Sequence, residues 1–178
     1  MNKVVVIGAG GAGKSTFAKR LAGRLAIEVI HLDQCYWQPG WVQPAEEEWR
    51  RTLEQLLVRE SWVMDGNYSG TLARRLEVCD TVIFLDLPTS VCLWRAFKRA
   101  MAHFNRTRPD MAPGCPERID PSFLLWIWNY RRCSRPKVLR LLREYEKRGQ
   151  VVTLRSGVEI EQFLSTVGLH KEAVPPAK

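Results

Sequence analysis

The 178-residue chain predicts an α/β fold, a five-stranded parallel sheet flanked by helices, on three observations. Short apolar runs recur without polar alternation, as strands buried on both faces of a sheet require. Between them lie stretches with helical spacing of apolar residues, the βα repetition that joins parallel strands. The first apolar run passes straight into GAGGAGKS, a turn of the form G-x-x-x-x-G-K-[ST], and from there into a helix-favouring stretch.

Taken in order, residues 4–7 (Val-Val-Val-Ile) form the first strand and hand over to a phosphate-binding loop. Glycines let the backbone curl so that successive N–H groups point at phosphate oxygens, and the next helix begins with its positive dipole end at that anion. The candidate nucleotide contacts are Gly8, Gly10, Gly11, Ala12, Gly13, Lys14, Ser15 and Thr16. Lys14 suits the β- and γ-phosphates of ATP, and the Ser15 hydroxyl suits Mg²⁺, a hard cation that takes oxygen ligands. A chance glycine-rich turn is the plain alternative, and the strand before and helix after weigh against it.

A helix follows over 14–25, with Phe17, Leu21 and Leu25 on one stripe, then a strand over 29–32 and a helix over 45–58. Pro44 and the acids Glu46, Glu47 and Glu48 suit that helix's start. Further strands are predicted at 62–64, 81–85 and 151–154. Ligands in such sheets sit beyond the carboxyl ends of the strands, so the residues just past each strand carry the candidate chemistry.

Three aspartates stand there: Asp33, Asp65 and Asp86. Mg²⁺ beside Ser15 needs a nearby acid. Asp65 suits that role because Gly66 permits close backbone approach to a ligand, whereas Asp86 leads into Pro88 and reads as a cap for the next helix. Asp33 is placed to orient or deprotonate an acceptor hydroxyl, with a turn-forming aspartate as the bland alternative. Trp37, Trp41 and Trp49 either wall an acceptor or, as large aromatics more often do, fill the core.

After the fourth strand, Val91, Trp94, Phe97 and Met101 recur at helical spacing, which predicts that the helix buries this stripe. Arg95 and Arg99 share another face. Residues 103–120 are broken by Pro109, Pro113, Gly114 and Pro116 and carry Arg106, Arg108 and Arg118, the composition of a lid or an irregular insert. Lid arginines can reach phosphate oxygens and neutralise migrating charge. A helix entered through Asp120 and Pro121 comes next, interrupted near Pro136, with Arg131, Arg132 and Arg135 at the break.

Between Arg95 and Arg148 stand fourteen Lys and Arg against five Asp and Glu, so the net charge of +8 is concentrated in the middle of the chain. Duplex nucleic acid, a polyphosphate under a closing flap, and a solvated basic helix face all fit that excess. No apolar stretch is long enough to span a membrane, and the N-terminal residues lack a signal-like pattern. Five cysteines without a C-x-x-C pair read as reduced thiols. Together these predict a cytoplasmic protein, organised as one domain over 1–168 with a mobile tail over 169–178.

The layout resembles the adenylate-kinase-like P-loop kinases. Over most of the chain, the phosphate loop, an acceptor-binding helix after the second strand, D-G after the third, R-x-x-x-R after the fourth, a lid and post-lid arginines follow one another. More narrowly, HLDQCYWQPGW, DGNYSGTLARRLE, VIFLDLP, RTRPDMAPGCPER and FLLWIWNYRR are similar to the bacterial DNA topology modulation proteins of that group. The resemblance implies a nucleotide-binding protein that uses ATP and Mg²⁺. It assigns Lys14 and Ser15 to the loop, Asp65 to the metal, Arg95 and Arg99 to the paired arginines, and Arg131 or Arg135 to the post-lid position.

Adenylate kinases carry acceptor-gripping arginines where this chain has Gln34 to Trp37 and Asn67-Tyr68. Arg74 and Arg75 are candidates to reach in instead. HLDQCYW also looks similar to the acidic-aromatic turn of nucleoside kinases, in which an Asp engages the hydroxyl. The function implied is ATP-dependent phosphoryl transfer to a nucleoside, nucleotide or related small molecule. The alternative is a DNA-associated regulator that binds nucleotide with little or no kinase activity.

Overall fold

The computed structural model describes residues 1–167; the expected tail over 169–178 lies outside the described residues. Its centre is an all-parallel five-stranded sheet in the order β2-β3-β1-β4-β5. The strands are β1 (Lys3–Gly8), β2 (Val29–His31), β3 (Trp62–Asp65), β4 (Thr81–Leu85) and β5 (Gln150–Leu154). All five expected strands are present, with ends shifted by a residue or so.

The apolar runs do not alternate because both faces of the sheet are covered. On one face Val4 and Val6 pack with Phe17, Ala18 and Leu21 of α1 (Lys14–Leu25). On the other, Val5 and Ile7 meet Trp49, Leu53 and Leu57 of α3 (Glu46–Leu57) and Leu72 and Leu76 of α4 (Ser69–Val78). A short α2 (Leu32–Tyr36) starts directly after β2, so Asp33 sits in its first turn. Parallel register sets Asp65 of β3 between Val6 of β1 and His31 of β2.

Two expectations are corrected, those for the α5 stripe and for Asp86. The stripe Trp94, Phe97 and Met101 of α5 (Thr89–Ala102) is exposed, while Cys92, Ala96 and Ala100 face inward. Small residues win that face because α5 lies directly on the phosphate loop: a Cβ on Gly11, whose φ is +77°, would stand 2.0 Å from the Cys92 carbonyl oxygen. Asp86 caps no helix; it receives a bidentate pair from Arg135 at 2.8 and 2.7 Å, tying the end of β4 to the start of α7 (Arg135–Tyr145). Gly66, with φ +140°, makes room for Leu32, whose Cβ a side chain there would approach to 2.9 Å.

The helix after the insert breaks at Ser134, near Pro136 as expected. Asp120 caps α6 (Pro121–Cys133) by accepting from the backbone of Ser122 and Phe123, and Pro136 falls in the first turn of α7, where its missing N–H costs nothing. The chain closes with α8 (Gly157–Thr166), which begins at Ser156, whose hydroxyl accepts from Glu159 N–H. Residues 103–120 hold neither helix nor strand. Their base is pinned where Asn105 N–H donates to Glu117 and Glu117 N–H to Arg106, and Met111, Ala112 and Cys115 are buried against Trp37 and Trp41.

Candidate functional site

A cavity of about 940 Å³ opens at the carboxyl ends of the strands. Its floor is the loop from Gly10 to Thr16, and Asp33, Asp65, Arg95 and Arg99 also line it. Gly8 lies beneath, at the end of β1, where its N–H donates to Asn67 Oδ1 at 3.1 Å. Arg131 is exposed on α6 and is not among the lining residues.

Lys14 is the first residue of α1 and its Nζ donates to the Ala9 carbonyl at 3.1 Å. Burial pulls its pKa below the usual lysine value; Asp65 and Asp33 oppose that shift, and Arg99 adds to it. Among the described residues no carboxylate forms an ion pair with Lys14. An ammonium drawn out of water, with two carboxylates near it but none in contact, is matched to an incoming anion.

Beside it the Ser15 hydroxyl donates to Asp65 Oδ2 at 2.7 Å, and Asp65 Oδ1 pairs with His31 Nδ1 at 2.5 Å. Burial alone would lower the His31 pKa, but the hydrogen bond and charge of Asp65 outweigh it and the net direction is upward. Ser15 and Asp65 bring two hard oxygen donors together, and the described residues contain no larger His, Cys, Asp and Glu cluster that would cage an ion. Such a sparse oxygen set fits Mg²⁺, which keeps waters and takes phosphate oxygens, better than a cation held by protein alone.

Across the cavity Tyr68 donates its hydroxyl to Asp33 Oδ1 at 2.7 Å. Burial raises the Asp33 pKa, while the Tyr68 hydrogen bond and Lys14 pull against it. Tryptophan divides two ways. Trp49 is core, but Trp37 and Trp41 line the cavity with rings 5.4 Å apart, and Arg118 lies over Trp41 at 5.5 Å. Trp41 Nε1 donates to the Pro116 carbonyl at 3.1 Å, and Gln34 Nε2 donates to the Pro109 carbonyl, so the turn after β2 holds the insert over the cavity.

The arginines differ in what already neutralises them. Arg99 reaches Glu117 Oε1 at 3.2 Å, and Arg108 forms a 2.5 Å ion pair with Glu117 Oε2 and a 2.7 Å pair with Asp110. Burial and the neighbouring Arg108 lower the Arg99 pKa. Arg95 has no ion pair among the described residues, and its Nη1 lies 3.8 Å from where a Cβ on Gly13 would stand. Arg74 and Arg75 do not reach the cavity. Arg74 pairs with Glu54 and Glu77, and the fully buried Arg75 donates to the carbonyls of Gly66, Asn67 and Tyr68, bracing the segment that carries Asn67 and Tyr68.

No family model matches the chain. It is 27% identical over 142 residues to the uncharacterised protein YqaC of Bacillus subtilis (strain 168), with 79% of each chain covered. Among solved structures it is similar to the shikimate kinase of Acinetobacter baumannii in complex with shikimate, at 18% identity and a TM-score of 0.57, covering 98% of this chain and 96% of that one. The shikimate kinase of Bacteroides thetaiotaomicron matches at 17% identity and a TM-score of 0.51, over 95% of this chain and 97% of that one. The chain shares the fold of these two kinases. The likeness to DNA topology modulation proteins rests on the sequence runs alone.

Within that fold, sequence reasoning overlooked His31 and Glu117. His31 was legible only as a polar residue closing an apolar strand; its contact with Asp65 comes from strand register. Glu117 was visible as one of few acids in an arginine-rich insert.

Proposed function

We propose that this protein is an Mg-ATP-dependent phosphotransferase acting on the hydroxyl of a small acceptor. The observation that carries the reading is the Ser15–Asp65 hydrogen bond at the foot of α1, in the cavity shared by Lys14 and Asp33. It sets the loop hydroxyl and the β3 acid side by side where a metal-bound triphosphate belongs. Asp65 suits the metal better than Asp86, which Arg135 occupies and which does not line the cavity.

Phosphoryl transfer asks for positioning and charge stabilisation rather than covalent chemistry. Loop N–H groups and Lys14 are placed to hold a phosphate chain, and Ser15 and Asp65 would hold Mg²⁺, which would supply charge neutralisation there. Arg95 stands free above Gly13 to meet charge on the transferred group. Tyr68 takes up Oδ1 of Asp33, which leaves Oδ2 to accept the proton-bearing acceptor hydroxyl and turn its oxygen towards the phosphate. Trp37 and Trp41, with ring planes 70° apart, supply an aromatic corner for the acceptor. Arg131, exposed on α6, joins this reading only if the insert and α6 rearrange when nucleotide binds.

Calorimetric titration with Mg-ATP on the wild type and Lys14→Ala tests the nucleotide half. Affinity must fall in the variant, and equal affinity refutes the reading. The acceptor half is tested by ADP release across nucleosides, nucleoside monophosphates and hydroxy acids including shikimate. Tight ATP binding with no acceptor phosphorylated would transfer the reading to the nucleotide-binding regulator.

A further inference from the structure

The outer side of α5 and α6 is an apolar face open to solvent. Trp94 is 64%, Phe97 42% and Met101 56% exposed along α5, and Leu125 is 60% and Trp128 64% exposed on α6. The two helices pack together, and Phe97 and Leu124 line one shallow notch with Ile119. Trp94 lies one turn before Phe97, and Trp128 one turn after Leu124, so the face continues along both helices. Large apolar side chains scattered singly need no explanation, but two tryptophans and their neighbours on adjoining helices mark a binding surface.

Charge identifies the partner. Neither helix contains an acidic residue, and while Arg95 turns into the cavity, exposed Lys98, Arg131 and Arg132 stand on them without an ion pair among the described residues. A second copy of the chain joined through the same patch would set the Lys98 and Arg132 of both copies around one seam, cation beside cation. Single-stranded nucleic acid stacks on ring faces, which Met101 and Leu125 do not have. Tryptophans beside aliphatic side chains, edged by long cations that can lift their charges to head-group level, match a lipid interface.

We propose that the α5–α6 face docks the protein on an anionic lipid surface, with Trp94, Phe97 and Trp128 entering the interface and Lys98 and Arg132 meeting acidic head groups. The test is co-sedimentation with phosphatidylglycerol–phosphatidylcholine vesicles and with phosphatidylcholine vesicles alone, for the wild type, Trp94→Ser/Trp128→Ser and Lys98→Glu/Arg132→Glu. Binding to the anionic vesicles only is expected, weakened about tenfold or more in each double variant. Unchanged melting and Mg-ATP affinity will show that both variants keep their fold.

Failure of the wild type to bind anionic vesicles overturns the proposal, and so does full binding by the tryptophan variant. A dimer that dissociates in the variants would give the face to a second copy. An oligonucleotide complex lost in them would give it to nucleic acid. If acrylamide quenching without lipid is the same in the wild type and the tryptophan variant, the face is already covered by the chain itself and the proposal fails.

Discussion

Glu117→Gln gives opposite results with and without nucleotide. Glu117 is only 8% exposed and stands between Arg99 and Arg108, with side chains 27% and 10% exposed. Removing one partner of a buried ion pair costs about 3–5 kcal/mol. Arg108 keeps Asp110 at 2.7 Å and Arg99 reaches solvent, which reduces the loss to about 2 kcal/mol. The free protein should therefore melt about 4–8 °C lower.

Triphosphate reverses the sign. On the proposed function, a phosphate entering the wild-type cavity would have to displace Glu117 from the arginines, and in the variant those cations would already be waiting. Affinity for Mg-ATP should rise about tenfold, equivalent to about 1.4 kcal/mol. Thermal melts with and without Mg-ATP, joined to calorimetric titration, read both halves. An unchanged melting temperature together with weaker ATP binding would show that Glu117 does not compete with the phosphates.

Tyr68→Phe removes the hydrogen bond that holds the Asp33 pKa down against burial. Asp33 must be ionised to accept a hydroxyl proton, so the acid limb of kcat/KM should move to higher pH, and an unmoved limb excludes Asp33 as the acceptor's partner. The Asp86–Arg135 pair should break unequally, because Asp86 is 4% and Arg135 27% exposed. Arg135→Ala strands a buried carboxylate and should cost about 3 kcal/mol in urea denaturation, whereas Asp86→Ala leaves an arginine that reaches water and should cost about half as much. Equal losses would show that burial does not govern the pair.

Strands and the phosphate loop were legible because their physics is local. Val4 to Ile7 can only be a strand covered on both faces, and GAGGAGKS between strand and helix has few other uses. The inward face of α5 was not legible. Trp94, Phe97 and Met101 follow helical spacing whichever way they point, and the deciding fact, the closeness of Cys92 to Gly11, joins residues far apart in the chain. Asp86 was misread for a similar reason: its sequence neighbours suggest a cap, and its partner Arg135 arrives 49 residues later. Long-range pairing also conceals the Asp65–His31 contact, which only the β2–β3 register creates.

With no side chain on Gly11, the glycine-rich loop that we propose as the nucleotide cradle rests on the backbone of α5 itself. Nothing soft lies between them, so a shift of that helix along or across its axis must move the amides that greet the phosphates. The same rod turns its tryptophans outward. Any event that grips those rings pulls on the cradle from behind, through one helix diameter of protein.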